Sequence, residues 1–299
     1  DANIRATTLE EEVYAGLRRF RGREKQKHVR LLKDMLPPNK VNLQHKGVKD
    51  TNRQQRHEYY VKIAVLADSG VYDLYASSVR SADPFRKSKK VREKITYAYS
   101  HVINGVNLRF KTIDDPSISI TVILQHFTVF QREDRFPHKS SQVFTDNGET
   151  YIAAHPYASD IKQWVLNYGI HLVPKFDHAM LFTGYELYRC SIDEKSISGV
   201  SFVGRVCDEV EKVSLIQSKH YARTVLTASH AVLLLPGDGI LGFLGADHDG
   251  TADAKDCHPN ERFIMYHRAL KFNETTPYSG NEWIFSKCSV ESFKKTLLL

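Results

Sequence analysis

The chain has 299 residues, 41% of them hydrophobic and 26% charged, which is enough to bury the core of one large domain or two small ones. Its formal net charge of +7 belongs to the N-terminal segment, since residues 1–57 hold 14 Lys/Arg and 7 Asp/Glu and leave 28 of each for residues 58–299. This balance argues against nucleic-acid binding by the body of the chain, and no apolar run approaches the ~20 residues that would span a bilayer.

The N-terminal region is predicted to be helical. Thr8–Glu11 resembles a capping box, and the helix it opens is expected to run to about Met35, just before two prolines. The polar stretch 39–57 follows as a linker, and its Arg53-Gln-Gln-Arg56 has the spacing that processing proteases cleave, although a solvated loop fits equally well. We therefore expect 1–57 to be a basic extension or propeptide remnant with a linker.

The remaining chain, 58–299, is predicted to be one α/β domain. Apolar, β-branched runs predict strands, and helical spacing of apolar residues predicts helices. The expected strands are Tyr59–Asp68, Ser117–Leu124, His178–Thr183 and Gly199–Cys207; the expected helices are Val91–Phe110, Tyr157–Tyr168, 221–235 and 286–296; a basic loop is expected at Arg86–Lys90.

Four cysteines lie in the C-terminal third, at Cys190, Cys207, Cys257 and Cys288. An even count there favours two disulfides in an oxidising compartment, with four buried free thiols as the alternative. Asn273 begins an Asn-Glu-Thr glycosylation sequon, which points the same way. The chain has neither an initiator Met nor a signal-peptide core, as expected of a processed product. These features predict a secreted, extracellular glycoprotein.

The segment Gly237–Gly250 resembles the zinc-protease pattern H-E-x-x-H-x-x-G-x-x-H with most of its working residues replaced. In that pattern two His on one helix face and a third His after a turning Gly bind zinc, and the Glu is the general base. If His248 is the third ligand, the turning Gly is Gly245. Replacements then occupy the other positions: Asp238 for the first His, Gly239 for the Glu and Gly242 for the second His.

A second register is also open. His230 would be the first ligand, Ala231 would stand at the Glu position and Leu234 at the second His, with an insertion of eight residues before His248. This version allows a helix to run unbroken until Pro236 stops it, so we favour it slightly. In both registers the Glu and the second His are missing.

Several landmarks in chain order resemble a metzincin zinc endopeptidase of the adamalysin or reprolysin type, such as those secreted by arthropods in tick saliva or venom. They are the first-strand segment Tyr60–Asp68, the D-x-A-x-L-x-T-G segment within Phe176–Glu186, the edge segment Gly199–Cys207, the zinc-motif end Gly245–Gly250, the Met-turn Phe263–Tyr266 and the F-S-x-C-S segment Phe285–Ser289.

The resemblance implies a twisted, mostly parallel five-stranded sheet with an active-site helix and a smaller C-terminal subdomain. It also implies a Cys207–Cys288 disulfide, which leaves Cys190 and Cys257 as partners. Met265, in the Met-turn, would be a core residue beneath an empty site. His248 would be hydrogen-bonded to Asp247, Asp249 or a backbone carbonyl, and His230 would be a partly buried helix residue.

We therefore expect a pseudoprotease that has lost peptidase activity and binds a partner protein, because Gly or Ala cannot act as a general base. No cofactor is expected, and zinc is the metal if one binds, held by the vestigial ligands His230 and His248. An active peptidase with a rebuilt site is the first alternative, with Asp238 and Asp247 as nearby carboxylates. The second is a polyanion-binding protein acting through the basic helix at Arg18–Arg23. The glycines within 237–245 could suggest a phosphate-binding loop, but no G-K-[ST] accompanies them. We therefore interpret them as residues that make this loop flexible.

Overall fold

The strand predicted at Tyr59–Asp68 lies inside the main sheet. In the computed structural model it is β1, His57–Ala67, and it pairs in parallel with β2, Ile118–Val129, and with β5, His178–Thr183. The structure describes residues 56–131, 143–169, 176–189, 194–195, 197–201, 212–218, 221–233, 245–266 and 280–297, all within the unit Asp50–Leu299. The expectations for 1–55, and so the helix and linker placed there, lie outside these residues.

The main sheet has five strands in the order β2-β1-β5-β9-β8. β9, Val213–Gln217, runs parallel to β5, and β8, Gly199–Ser201, lies antiparallel to β9 at the edge of the sheet. The mostly parallel five-stranded α/β architecture is thus confirmed. β8 coincides with the start of the strand predicted at Gly199–Cys207; residues 202–207 lie outside the described part.

Helices cover both faces of this sheet, and each face has its own core cluster. Helix α2, Pro84–Phe110, covers one face with Val91, Ile95 and Val106, and helix α3, Ala154–Trp164, covers the other with Tyr157 and Ile161. α3 corresponds to the helix predicted at Tyr157–Tyr168 but begins three residues earlier, and a single π turn, Val165–Gly169, continues it.

The basic loop predicted at Arg86–Lys90 is wrong, because these residues form the first turns of α2. Asp83 caps the helix: its Oδ1 accepts hydrogen bonds from the backbone N–H groups of Phe85, at 2.9 Å, and Arg86, at 3.3 Å. Pro84 occupies the first helical position, where a missing N–H costs nothing. The many charged residues favoured a loop in the sequence analysis, so the helix-start signal of Asp83 followed by Pro84 was missed.

Three further features were not predicted. They are β9, helix α1 at Ser69–Ala76, and a small sheet of β3, β4, β6 and β7, which are Val143–Asp146, Glu149–Ala153, Glu186–Arg189 and Glu194–Lys195. The β3–β4 hairpin did carry a local signal, since its turn residues Asn147 and Gly148 have φ angles of 50° and 79°. Asn-Gly is the pair that such hairpin turns favour.

The C-terminal part contains short 3₁₀ turns and helix α5, Lys287–Leu297, close to the helix predicted at 286–296. A disulfide joins Cys257 to Cys288, so the Cys207–Cys288 pairing is wrong and Cys257 is not left for Cys190. The first turn of α5 lies against the segment that carries Cys257, and the Cys288 N–H is 3.2 Å from the Cys257 Sγ. Cys190 and Cys207 lie outside the described residues, as does Asn273.

Candidate functional site

Helix α4, Tyr221–Leu233, follows the sheet strand β9 and carries His230. The helix packs closely on α2: a Cβ atom added to Gly105 would lie 2.8 Å from a methyl carbon of Val225. The hydroxyl of Thr224 also donates to the Gln217 carbonyl at the end of β9, at 3.3 Å. The sheet and α2 therefore hold this helix firmly. The side chain of His230 is not among the described atoms, whereas Ala231 is buried, with 3% of its surface exposed.

The remaining motif positions on this side, Leu234, Asp238, Gly239 and Gly242, lie outside the described residues. The structure therefore describes only part of either register. In the second register His230 and Ala231 lie on helix α4, whereas Asp238, Gly239 and Gly242 of the first register follow in the sequence after the end of this helix.

His248 lies after the turn at Gly245, whose φ angle of 27° is in the left-handed region that favours glycine. The Nδ1 atom of His248 lies 3.1 Å from the carbonyl oxygen of Met265. The same carbonyl accepts the Asp249 N–H at 3.0 Å. An imidazole Nδ1–H that donates to a backbone carbonyl sets the tautomer and the ring orientation, which is how metal-ligating His residues are commonly held.

Met265 is fully buried in the core cluster beneath this loop. It lies in a tight turn closed by the hydrogen bond from the Tyr266 N–H to the Phe263 carbonyl, at 2.9 Å. The backbone N–H of Ile264 donates to the Ile284 carbonyl at 3.1 Å, which ties the turn to the segment before α5. The expected packing role of Met265 agrees with this burial.

The carboxylates beside His248 are engaged elsewhere. Asp249 is 1% exposed and its Oδ1 accepts from the Ser286 hydroxyl at 2.6 Å, while burial raises the pKa of Asp249 above its ordinary value. Asp247 accepts the backbone N–H of Asp253 at 3.1 Å. Each carboxylate thus has one oxygen engaged away from His248, and the Asp249 Oδ2 is buried without a hydrogen-bond partner among the described residues.

The residues that the structure describes do not fit a zinc ion. They contain no group of three His, Cys, Asp or Glu side chains placed to hold a metal. Other His side chains of the described residues have partners of their own: His178 is buried with its Nε2 at 2.9 Å from the Ser214 hydroxyl, and His258 accepts the Asn260 N–H. His171 and His267 lie outside the described residues. The only described donor from the motif is His248.

A buried carboxylate at the carboxyl end of β1 was missed by the sequence reasoning. Asp68 is 1% exposed; its Oδ1 accepts from Val71 N at 2.9 Å and Gly184 N at 3.1 Å, and the Tyr157 hydroxyl donates to Oδ2 at 3.2 Å. Burial raises the pKa of Asp68 although these hydrogen bonds oppose the shift. Asp68 therefore joins α1, α3 and the β5–β6 turn, which is a structural task.

The edge strand β8 borders the main sheet on the side of β9. The hydroxyls of Ser198 and Ser201 are buried and have no hydrogen-bond partner among the described residues. An edge strand presents unpaired backbone N–H and C=O groups, and an extended polypeptide can add to it as a further strand.

Comparisons with known proteins identify the family of this architecture. The model of the reprolysin (M12B) family of zinc metalloproteases matches residues 59–298. A Bombyx mori protein described as "a disintegrin and metalloproteinase with thrombospondin motifs like" is 24% identical over 263 residues, covering 81% of this chain and 33% of the relative. The chain thus spans about a third of that relative's length.

Two solved structures are similar at low identity. The archaemetzincin of Methanopyrus kandleri has a TM-score of 0.39 and 10% identity, covering 80% of this chain and 97% of the other. A chain of a chaperone–substrate complex has a TM-score of 0.37 and 9% identity, covering 80% of this chain and 36% of the other. Among the described residues no helix is both long and apolar enough to cross a membrane.

Proposed function

The chain belongs to the reprolysin family of zinc metalloproteases, and from that membership we propose that it is a pseudoprotease, which keeps the family scaffold, does not hydrolyse peptides and acts by binding a partner protein. The observation that carries the proposal is the residue at the general-base position, which is Ala231 in one register and Gly239 in the other.

Metal-dependent peptide hydrolysis needs two things that these residues do not supply. A carboxylate must take the proton from the attacking water and pass it to the leaving amine, and a preorganised set of ligands must hold the zinc that would acidify the water. Asp249 is turned toward Ser286, and Asp247 accepts a backbone N–H from Asp253, so neither substitutes for the missing Glu.

The elements around the degenerate zinc motif are well packed, which supports a protein that acts by binding. The His248 ring is held against Met265, and α4 is packed on α2 as an ordered helix. We favour the second register, because its first two positions, His230 and Ala231, lie on helix α4. In this register the chain keeps the helix that carries the first ligand, His230, and lacks the catalytic Glu and the second zinc-binding His.

The mode of binding that we propose is strand addition at β8. An extended segment of the partner would hydrogen-bond to the backbone N–H and C=O groups of this edge strand. Backbone hydrogen bonds of this kind give affinity without requiring cleavage.

We further propose that the protein is secreted. The Cys257–Cys288 disulfide fits an oxidising compartment, where structural disulfides persist. The Bombyx mori relative carries, in its name, the combination of a disintegrin, a metalloproteinase and thrombospondin motifs. Whether residues 1–57 contact polyanions and whether Asn273 is glycosylated remain predictions.

The test is metal analysis combined with a protease assay on the purified chain. We expect far less than one zinc per chain after gel filtration in zinc-containing buffer, and no chelator-sensitive cleavage of casein or gelatin. One tightly held zinc per chain together with chelator-sensitive cleavage would establish the alternative, an active peptidase with a rebuilt site.

A further inference from the structure

The first turns of α2 concentrate positive charge on a body, residues 58–299, whose formal net charge is zero. Residues 80–94 contain seven Lys/Arg and two Asp/Glu. Four of these cations, Arg86, Lys89, Lys90 and Lys94, are spaced i, i+3, i+4 and i+8, so they share one side of the helix. All four are exposed, whereas Val91 and Ile95 turn into the core. We call Arg86, Lys89, Lys90 and Lys94 the basic face.

Little within the described part of the chain neutralises this face. Arg86 pairs with Asp83 at 3.3 Å, but both side chains are well exposed and such pairs are weak. Lys94 reaches the Ser78 hydroxyl at 3.5 Å, and Lys89 and Lys90 have no ion-pair partner among the described residues. The exposed carboxylate of Glu93 is the one acidic group that the helix places within the basic face. Several cations therefore remain available to a ligand.

The helix itself does not account for these cations. The N-terminal end of a helix carries a partial positive charge that acts within the first turn, so it disfavours Arg86, and the other three cations lie one or two turns further along α2. The first turn of α2 contains no acidic residue. Because the four side chains are exposed, burial does not explain their presence either. Exposed cations that do not pack in the core and are only weakly paired are typical of a surface that binds an anionic ligand.

We propose that the basic face of α2 binds a linear sulfated polysaccharide. Eight residues of helix separate Arg86 from Lys94, a distance of about 12 Å, so successive sulfates of an extended chain can meet successive cations. The backbone amides of the helix start take no part, since Asp83 already accepts from Phe85 and Arg86. These four residues are different from those of the basic segment Arg18–Arg23, which the sequence analysis considered for polyanion binding.

Two observations favour a polysaccharide over a membrane or a nucleic acid. The apolar face of α2 is buried in the protein core, so the helix cannot lie in a lipid interface; Phe85, 79% exposed, is its one large exposed apolar side chain. The Cys257–Cys288 disulfide fits an oxidising, extracellular setting, where sulfated polysaccharides are the common linear polyanions.

The experiment measures the affinity of the full chain for a size-defined heparin oligosaccharide at several salt concentrations. The basic-face variant is Arg86→Gln/Lys89→Gln/Lys90→Gln/Lys94→Gln. Two controls remove the same charge: Arg18→Gln/Arg19→Gln/Arg21→Gln/Arg23→Gln in the N-terminal region, and Lys62→Gln/Lys111→Gln/Lys255→Gln/Lys287→Gln at exposed positions elsewhere. The Phe85→Ser variant is tested on heparin and on vesicles of phosphatidylcholine and phosphatidylserine.

We expect the basic-face variant to bind heparin at least about tenfold more weakly, with a smaller salt dependence, while its Tm stays about the same because the four side chains are exposed. Both charge-matched controls should change the affinity less than about threefold. If the dispersed control loses as much heparin affinity as the basic-face variant, the binding depends on net charge and not on this face. If the N-terminal control loses as much, the binding site lies in residues 1–57. Vesicle binding that is lost in Phe85→Ser, or tighter binding to duplex DNA than to heparin, would also overturn the proposal.

Discussion

The hydroxyl of Ser286 donates a hydrogen bond of 2.6 Å to the carboxylate of Asp249. Thirty-seven residues separate the two in the chain, and both are buried. Ser286 also accepts the Ser289 N–H at 3.2 Å, so it caps α5 while it holds the residue that follows His248. The Ser286 side chain thus joins the loop that carries His248 and Asp249 to the C-terminal helix α5.

Replacing Ser286 should weaken the fold through this double contact. Ser286→Ala leaves the buried carboxyl of Asp249 without its donor and α5 without its cap, and we expect the free energy of unfolding to fall by about 2–3 kcal/mol. Chemical denaturation measures the change. Ser292→Ala, a buried serine of the same helix, is the control and should cost less than about 1 kcal/mol; equal losses would remove the special role of Ser286.

The stability of the fold should fall in mild acid because of His178. Burial, with a smaller contribution from the charge of Lys212, lowers the pKa of His178 from 6.5 to about 3. Between these two values the unfolded chain binds the extra proton, so the contribution of His178 is fully present above pH 6.5 and is lost as the pH falls toward 3.

The predicted slope in that window is about 1.4 kcal/mol per pH unit for this one group. His178→Gln keeps a polar side chain near Ser214 but cannot be protonated, so its unfolding free energy should depend less steeply on pH between 6 and 4. Denaturant titrations of both proteins at pH 7, 6, 5 and 4 measure the difference. Parallel curves would mean that His178 does not titrate with unfolding.

Restoring the motif should decide its register. We expect Ala231→Glu/Leu234→His to bind about one zinc per chain, because His230 and position 234 then have the i, i+4 spacing of the zinc helix, with His248 as the third ligand. Since Ala231 is buried, the metal-free variant should lose about 1–3 kcal/mol, and added zinc should raise its Tm.

The matched comparison is Asp238→His/Gly239→Glu/Gly242→His, which restores the other register. Zinc bound by this variant alone would show that the first register is correct. If neither variant takes up zinc, the loop between α4 and His248 does not bring the ligands together, and the idea of a retained scaffold for the site fails.

The disulfide can be read directly by peptide mapping. A non-reducing digest should contain the peptides of Cys257 and Cys288 joined to each other, and Cys207→Ser should leave this link intact. Cys257→Ser/Cys288→Ser opens a loop of 31 residues and should cost about 3 kcal/mol. A linked pair of Cys207 and Cys288 peptides would contradict the structure.

The backbone crossing next to Asp68 should tolerate no side chain at Gly184. A Cβ atom there would lie 2.2 Å from the carbonyl carbon of Gly70 and 2.4 Å from its oxygen. Gly184→Ala should therefore lower the unfolding free energy by about 3 kcal/mol or more, because two backbone segments must separate. Gly148→Ala, with a φ of 79° and open space around it, should cost only about 1 kcal/mol. Similar thermal shifts in the two variants would contradict this.

The elements that could be predicted have strong local patterns. β1 is a long apolar run and was predicted within two residues at each end, and the core side of α2 repeats at helical spacing, so its C-terminal end at Phe110 was predicted correctly. β9 was missed because five buried residues are too few to distinguish a strand from part of a helix. The start of α2 was misplaced because its charges hid the Asp83 cap, and the Asn147-Gly148 turn was a readable signal that was overlooked.

The amino-acid sequence alone determined the landmarks of the family and gave the prediction that Ala231 or Gly239 stands at the general-base position, since both rest on residue identities at fixed spacings. Only the tertiary structure decided that Cys288 joins Cys257, that Asp249 turns to Ser286, that Met265 orients His248 and that four cations line one side of α2. The first three join residues 17 to 37 positions apart. Local residue patterns do not carry such pairings, because they depend on the path that the chain takes when the sheet and its helices pack.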